Sequence, residues 1–218
     1  MVERPFHHGN LRAELLDHAE AVLREEGADG VSLRDLARRA GVSHGAPRSH
    51  FADRQALLDA LAVRGFERLG GRLRVAGEDP AGSFEDAVHR VARAYVDFAV
   101  QDAALMELMF AAKADHGSEA VDAAAGRLFA TFDELLDRHA PRTPLDEAER
   151  QRFGLLFAVA VQGTASLVGA RRVGADLGAA LVEDATSLLV RTFFPDEGGA
   201  VTPGRGAARP SAAPRSGG

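Results

Sequence analysis

Apolar residues recur at helical spacing along almost the whole chain, and this spacing is the strongest constraint on the fold. In the first such segment Leu11, Leu15, Ala19 and Val22 follow one another three or four positions apart. Apolar and polar residues do not alternate convincingly at the period of two that a half-buried strand requires. The sequence therefore predicts an all-α fold.

Residues that cap helices divide the N-terminal part of the chain into short segments. The first helix is expected to begin after Asn10 and to end at Gly27, which can adopt the left-handed conformation of a helix end. Ser32 and Asp35 have the spacing of a capping box and predict the start of a second, short helix. A further helix is expected from Asp53 onward.

Residues 32–51, SLRDLARRAGVSHGAPRSHF, have the pattern of a helix, a tight turn and a second short helix. Ala37 is small where two helices would approach, Gly41 permits the positive φ of the turn, and Ser43 can cap the second helix. These features predict a helix-turn-helix. A generic hairpin of two helices is the alternative.

The second helix of this motif would present a polar face. At about 100° per residue, one arc contains His44, Gly45, Arg48 and Ser49. The other side contains Ala46, Pro47, His50 and Phe51. Arg48 suits a guanine or a phosphate, His44 a base edge, and the Ala46 methyl a thymine methyl if the helix enters a groove end-on. The same arc also suits a merely solvated face.

The net charge of −6 does not exclude a nucleic acid as partner, because the acidic excess is unevenly distributed. Residues 1–75 contain 12 Arg and 11 acidic residues, a net of +1, whereas residues 76–218 contain 14 basic and 21 acidic residues, a net of −7. A weak positive balance predicts low non-specific affinity for DNA. The absence of cysteine excludes disulfides and Cys-ligated metal sites.

The remaining segments predict a second helical unit followed by a tail. Gly70 and Gly71 are expected to loosen the chain before a domain boundary near residues 75–82, and a Ser83–Asp86 pair caps the next helix. A long helix is expected from the cap formed by Thr143 and the following proline. The last helix spans about residues 176–194, and residues 195–218, of which 17 of 24 are Gly, Pro, Ala or Ser, predict a disordered tail.

The long helix contains an uncharged run, residues 153–170, for which three environments are considered. A membrane span is disfavoured, because 18 residues reach only about 27 Å and include Gln162, Thr164 and Ser166. A buried helix of the core is one alternative. An interface between two subunits, formed with Leu177, Leu181, Leu188 and Leu189 of the last helix, is the other.

Apolar side chains of the second unit could line a pocket, with two polar groups among them. The predicted ligand-binding residues are Tyr95, Met106, Met109, Phe110, Phe132, Phe153, Phe157 and Gln162. Taken singly, each is more often part of a core. The sequence contains no spacing typical of a metal site, a nucleotide loop or a catalytic serine, so no metal, cofactor or catalytic residue is predicted.

Several segments resemble the TetR/AcrR family of transcriptional regulators. They are HHGNLR (7–12), SLRDLARRAGVSHG (32–45), HF (50–51) and DRQALL (53–58). The resemblance implies a DNA-binding domain at 7–69 and a helical ligand-binding and dimerisation domain at 80–194. Residues 92–113 and 161–163 also resemble the C-terminal domain of a subgroup with a Trp-His-Gly tripeptide.

The resemblance also implies residue roles. His44, Gly45 and Ala46 would face bases, and Ser32, Arg48, His50 and Arg54 would contact the DNA backbone. Ser43 and Ser49 complete the predicted DNA-binding set. The family usually has Tyr where this chain has Arg48, and Lys where it has Arg54.

The function expected from this resemblance is that of a repressor. It would bind a palindromic operator as a homodimer through its last two helices, and a small apolar effector would release it. A non-enzymatic protein is expected. A cytoplasmic location is also expected, since residues 1–10 contain no apolar run typical of a signal peptide. The alternative is a small-molecule-binding helical protein whose DNA-binding domain no longer recognises an operator.

Overall fold

The computed structural model of the chain describes residues 11–78, 82–114, 118–139 and 145–195. Within these ranges it contains eight α-helices, one short 3₁₀ helix and no strand, which confirms the all-α prediction. The helices are α1 (Leu11–Gly30), α2 (Leu33–Arg39), α3 (Arg54–Gly77), α4 (Phe84–Gln101), α5 (Ala103–Ala114), α6 (Glu119–His139), α7 (Glu147–Gly169) and α8 (Ala175–Phe193), and the 3₁₀ helix is Ala46–Ser49. The predicted cap at Asn10 and the predicted tail beyond Pro195 lie outside the described residues.

The predicted helix ends of the N-terminal part are largely confirmed. Gly27 has a φ of 74° and interrupts α1, although helical turns continue to Gly30. The Ser32 side chain accepts the Asp35 N–H at 3.2 Å and so caps α2. The second half of the predicted capping box is absent, because the Asp35 carboxylate is bonded instead to Arg38 and Arg39. The hydrogen bond from Arg39, and then that from Arg38, lowers the pKa of Asp35 below its ordinary value.

Helix α3 connects the two parts of the molecule. It runs without interruption through Gly70 and Gly71, which the sequence analysis expected to loosen the chain. It packs against α1 on the N-terminal side and against α4, α5 and α6 on the C-terminal side. At Gly65 it approaches α5 so closely that an added Cβ would lie 2.5 Å from the Met109 sulfur. A single helix therefore carries the packing of both parts.

Reciprocal capping begins two of the C-terminal helices. The predicted Ser83–Asp86 capping box of α4 is confirmed. The cap of α7 is Asp146, and the predicted cap at Thr143 lies outside the described residues. The Asp146 carboxylate accepts the Glu149 N–H at 2.8 Å, and the Glu149 carboxylate accepts the Asp146 N–H at 3.1 Å. This pair satisfies two donors that a helix start would otherwise leave unbonded.

Helix α7 is only partly buried, so a smaller fraction of its residues is covered than in a helix that lies wholly within a core. Phe153, Phe157 and Val161 face the core, whereas Leu155 and Val159 are exposed. Among the described helices, α7 alone has the length and hydropathy for a membrane span, and 28% of its most apolar window is buried. One such helix is weak evidence for a membrane protein.

Candidate nucleic-acid interface

The turn between α2 and the 3₁₀ helix is built by the main chain around Gly41. Gly41 has a φ of 67°. The Gly41 N–H donates to the Arg38 carbonyl at 3.2 Å, and the Val42 N–H donates to the Ala37 carbonyl at 3.0 Å. These two bonds are those of a Schellman motif, which ends α2 and reverses the chain. The predicted turn is thus confirmed, with the conformation that favours glycine.

The second element of the motif is shorter than predicted. It is one 3₁₀ turn, in which the Arg48 N–H donates to the Gly45 carbonyl at 3.1 Å. Its N-cap is Gly45 rather than the predicted Ser43, whose main-chain carbonyl accepts the Ala46 N–H at 3.0 Å. A 3₁₀ helix is common in such short pieces, and its rotation per residue differs from that of an α-helix. The predicted α-helical arc therefore does not apply.

Most of the predicted DNA-binding residues are nevertheless exposed. The exposed residues of this set in the turn are Ser43, His44, Gly45, Arg48, Ser49 and His50. Ala46 is half-buried, and Pro47 and Phe51 are buried. The predicted arc that groups His50 with Phe51 does not describe their burial, because His50 is exposed and Phe51 is buried. The side chains of His44 and Arg48 have no hydrogen-bond or ion-pair partner among the described residues.

Two predicted backbone contacts have structural partners. The Ser32 hydroxyl is the cap of α2. The Arg54 guanidinium donates from Nε to the Val31 carbonyl at 3.0 Å and from Nη2 to the Ala28 carbonyl at 2.6 Å. It also lies 3.8 Å from Asp29. Arg54 therefore ties the start of α3 to the connection between α1 and α2.

Two further exposed arginines, one in α1 and one in α2, were not among the predicted DNA-binding residues. Arg34 is exposed in the first turn of α2 and has no side-chain partner among the described residues. The Arg12 guanidinium lies 5.3 Å from the centre of the ring of Phe51, which is the residue that follows the exposed His50. Arg12 belongs to the HHGNLR segment, so its position could have been anticipated from the resemblance. Arg34 lies in segment 32–45 of the same resemblance, but nothing in the sequence distinguishes it from Arg38 and Arg39 of that segment.

The structure brings some of the predicted ligand-binding residues together. The Tyr95 hydroxyl of α4 donates to the Gln162 side-chain carbonyl of α7 at 2.6 Å, and burial raises the pKa of Tyr95. The rings of Phe132 and Phe157 lie 4.6 Å apart, and those of Phe132 and Phe153 lie 5.8 Å apart. These residues connect α4, α6 and α7 in one packed region.

The other predicted ligand residues lie elsewhere. Met106 and Met109 are buried, and Met109 packs on Gly65 of α3. Phe110 is 42% exposed. The cavity that Phe132 lines holds about 10 Å³, too little for an organic ligand. A larger cavity of about 110 Å³ lies between α4, the end of α7 and α8, and none of the eight predicted residues lines it.

One serine–histidine–carboxylate cluster was not anticipated. Ser187 of α8 lies 3.0 Å from His89 Nε2 of α4, and its hydroxyl donates to Glu85. Because the single hydroxyl proton goes to Glu85, His89 donates to the serine oxygen and cannot act as the base of a nucleophile. Burial lowers the pKa of His89. The described residues contain no group of side chains that could hold a metal ion.

Comparison with known proteins identifies two matching families. Residues 15–61 match the family described as bacterial regulatory proteins, tetR family, and residues 88–193 match the family described as tetracyclin repressor-like, C-terminal domain. Together the two matches cover more than half of the chain.

Individual relatives agree with this result. Over 88 residues the chain is 32% identical to the HTH-type transcriptional regulator YobS of Bacillus subtilis (strain 168), covering 40% of this chain and 45% of that curated relative, less than half its length. A protein of unknown function from Rhodococcus sp. RHA1 has a similar structure, with a TM-score of 0.76, 36% identity, and coverage of 87% of this chain and 98% of that one. The TetR family transcriptional regulator PfmR from Thermus thermophilus has a TM-score of 0.58 at 17% identity, covering 81% and 97%, which indicates a common fold alone.

Proposed function

We propose that this chain, which belongs to the tetR family of bacterial regulatory proteins, acts as a dimeric repressor that binds a palindromic operator. A small apolar effector releases it from that operator. The observation that carries the proposal is the exposed His44–Gly45–Arg48 surface, whose side chains have no partner among the described residues. A surface of donors beside a Gly41-based turn is suited to a DNA groove.

Within this proposal the DNA-binding residues have two roles, contact with base edges and contact with the DNA backbone. His44, Gly45 and Ala46 face base edges, since they begin the second element of the motif. Ser32, Ser43, Arg48, Ser49 and His50 contact the DNA backbone. Arg12 and Arg34 are further exposed cations of α1 and α2 that suit DNA phosphate, and both are already included in the net charge of +1 of residues 1–75.

The proposed dimer forms through α7 and α8. Large apolar side chains are exposed on both of these neighbouring helices: Leu155, Leu156 and Val159 on α7, and Leu177, Leu181 and Leu188 on α8. A contiguous apolar surface of this kind is typical of a protein interface. A second copy of the chain would cover it, whereas a membrane span would not account for the exposed leucines of α8. A cytoplasmic location follows from the same proposal.

The dimer is tested with a matched pair of substitutions. Val159 on α7 and Val75 on α3 are both 68% exposed. Val159→Glu is expected to convert the dimer to a monomer in sedimentation velocity and to weaken operator binding, whereas Val75→Glu should change neither. A dimer that survives Val159→Glu would exclude this face as the interface.

The proposed effector site lies near the Tyr95–Gln162 pair and the adjacent phenylalanine rings. This pair offers one phenol and one amide to a ligand that is otherwise surrounded by apolar side chains. The Trp-His-Gly subgroup is proposed on the resemblance of residues 161–163. Phe132 and Phe157 would have to separate to admit a ligand, which would couple binding to movement of α6 and α7.

The alternative function is ligand binding without operator recognition, and Arg48 in place of the family's Tyr is the observation that favours it. Sequencing of genomic DNA that copurifies with the protein separates the two. The proposal expects an enriched palindrome with half-sites about 34–36 Å, or a multiple of that distance, apart. Recovery of DNA without any shared motif would favour the alternative.

A further inference from the structure

A cluster of buried charges lies between α1 and the corner that joins α4 to α5. Glu20 belongs to α1, and Asp102 is the C-cap of α4 directly before α5. Both side chains are only 7% exposed. Removing a carboxylate from water is costly unless it is paired and hydrogen-bonded. The partners of these two carboxylates therefore determine which arrangement of the helices is stable.

Arg24 and Arg68 each bind both carboxylates. Arg68 of α3 donates from Nη1 to Glu20 at 2.5 Å and from Nη2 to Asp102 at 3.0 Å. Arg24 of α1 donates to Glu20 and reaches Asp102 at 3.4 Å. Each planar guanidinium thus holds an acid of α1 and the acid of the α4–α5 corner at a fixed separation.

Two further arginines extend this contact along α3. Arg64 and Arg72 lie one helical turn before and after Arg68. Arg64 binds Asp17 of α1 at 2.6 Å, and Arg72 donates to Gln101 of α4 at 3.1 Å. The three arginines of α3 therefore bind acids of α1 at one end of the row and polar groups of the α4–α5 corner at the other end. We call Glu20, Arg24, Arg64, Arg68, Arg72 and Asp102 the arginine cluster.

Packing fixes the cluster from the side of α4. Phe98, which is fully buried, lies under two of the guanidinium groups, 5.7 Å from Arg68 and 5.1 Å from Arg72. Cations over an aromatic face are held in position as well as stabilised. The arginine cluster is thus held by the Phe98 ring of α4 as well as by the acids of α1 and of the α4–α5 corner.

Such a cluster specifies geometry more than it adds stability. Apolar residues of similar volume often stabilise a protein as well as a buried ion pair does, so a buried pair is weak evidence for stability. A bidentate arginine, by contrast, is satisfied only when both acids are at the correct distance. The helices α1–α3 carry the candidate DNA-binding surface, and the α4–α5 corner belongs to the C-terminal part.

We propose that the arginine cluster is the joint that holds the DNA-binding helices at one angle to the C-terminal helices, with Arg68 and Asp102 as positioning residues for operator binding. This inference rests on the proposed function, because the angle matters only if two DNA-binding surfaces must match two half-sites. Asp102→Asn keeps the side-chain shape but removes the charge and one of the two acceptor oxygens, so Arg24 and Arg68 can no longer both donate to a carboxylate at position 102. The angle then becomes variable.

The angle can be measured without DNA. The chain contains no cysteine, so a spin-label pair is introduced by Glu25→Cys on α1 and Glu119→Cys on α6, both exposed and without a hydrogen-bond or ion-pair partner among the described residues. Labelled protein is diluted with unlabelled protein, and the distance distribution is recorded by pulsed electron paramagnetic resonance. Asp102→Asn is expected to broaden this distribution. Asp97→Asn is the matched control, because Asp97 is an exposed carboxylate of α4 that has no ion-pair partner among the described residues.

Operator binding supplies the second readout. If the competent angle is populated for a tenth of the time, the apparent Kd rises about tenfold. We expect a rise of that order for Asp102→Asn, no change for Asp97→Asn, and an unchanged salt dependence, because no phosphate contact is lost. Reduced stability alone would not broaden the distances of the folded protein.

Arg68→Lys tests the same joint if Asp102→Asn does not fold. It keeps the positive charge, but one ammonium cannot reproduce the two-sided contact, so the distribution should again broaden. Distances as narrow as those of the unsubstituted protein, in whichever of the two variants folds, would overturn the joint, and so would equal broadening by Asp97→Asn. If no variant and no unsubstituted protein binds DNA, the proposed function fails, while the distances still decide the joint.

Discussion

Arg54 is predicted to act on folding stability rather than on contact with DNA phosphate. Its guanidinium bonds the Val31 and Ala28 carbonyls at 3.0 and 2.6 Å, although the resemblance implied a backbone contact. Arg54→Gln removes the charge and the paired donors. The Val31 carbonyl lies in the connection between α1 and α2, and the Ala28 carbonyl lies in the last turn of α1 after the break at Gly27, where it also accepts the Val31 N–H at 3.1 Å.

The size of the effect follows from these two bonds. A hydrogen bond from a charged group contributes about 1.5–3 kcal/mol, and less where water competes. Because the Arg54 side chain is 44% exposed, we expect the pair to contribute about 2 kcal/mol in total after discounting for solvent. In a chain of this size that lowers the Tm by roughly 4–8 °C. Arg54→Lys keeps one donor group and should lose about half as much.

Thermal unfolding and a salt titration of operator binding together test this prediction. Arg54→Gln should lower the Tm and leave the slope of log affinity against log salt unchanged. Arg34→Gln is the matched control, since Arg34 has no protein partner among the described residues. It should leave the Tm unchanged and reduce the slope by about 0.9, the effect of one lost phosphate contact. An unchanged Tm with a reduced slope for Arg54→Gln would refute the reasoning.

Three further predictions concern the C-terminal packing and pH. Gly65→Ala should lower the free energy of unfolding by about 1–3 kcal/mol, because the new Cβ would lie 2.5 Å from the Met109 sulfur. Gly71→Ala is the control: its nearest atom would lie at 3.9 Å, so this variant should raise the free energy of unfolding by up to about 1 kcal/mol. Urea unfolding compares the two variants, and equal effects would contradict the close approach of α3 and α5. Tyr95→Phe should cost about 1–2 kcal/mol in the same assay, because the amide oxygen that accepts its hydroxyl loses that donor, and an unchanged midpoint would argue against the bond. Burial lowers the pKa of His89 from its ordinary value of 6.5, so its contribution to stability is complete above about pH 6.5 and is lost as the pH falls through the folded-state pKa; His89→Gln should flatten this part of the pH profile of the Tm, and an identical profile would exclude His89 as the cause.

Two signals that lie within a few residues were predicted well, although the local cap expected at Ser43 was wrong. Gly41 required a positive φ because a helix of seven residues had to reverse within one turn. Ser83 and Asp86 form their capping box because both partners lie in the same turn of chain. Such features depend on local geometry, which the sequence specifies directly.

Features that depend on distant residues could not be predicted. Arg54 bonds carbonyls 23 and 26 positions earlier in the chain, and no local pattern distinguishes it from an arginine that binds phosphate. Arg68 meets Asp102 across 34 positions, a separation that no local pattern records. One local feature was missed as well, because the spacing of apolar residues does not distinguish the 3₁₀ turn Ala46–Ser49 from a short α-helix.

The most direct test of the proposed DNA-binding surface is the effect of Arg48→Ala on binding to the operator recovered by copurification. Arg138→Ala is the control, because Arg138 is an exposed arginine of α6 without an ion-pair partner among the described residues. Fluorescence anisotropy at several salt concentrations should give weaker binding and a salt slope reduced by about 0.9, the effect of one lost phosphate contact, for Arg48→Ala, and neither change for Arg138→Ala. Equal affinity and equal salt dependence of Arg48→Ala and the unsubstituted protein would contradict the assignment of this surface to DNA.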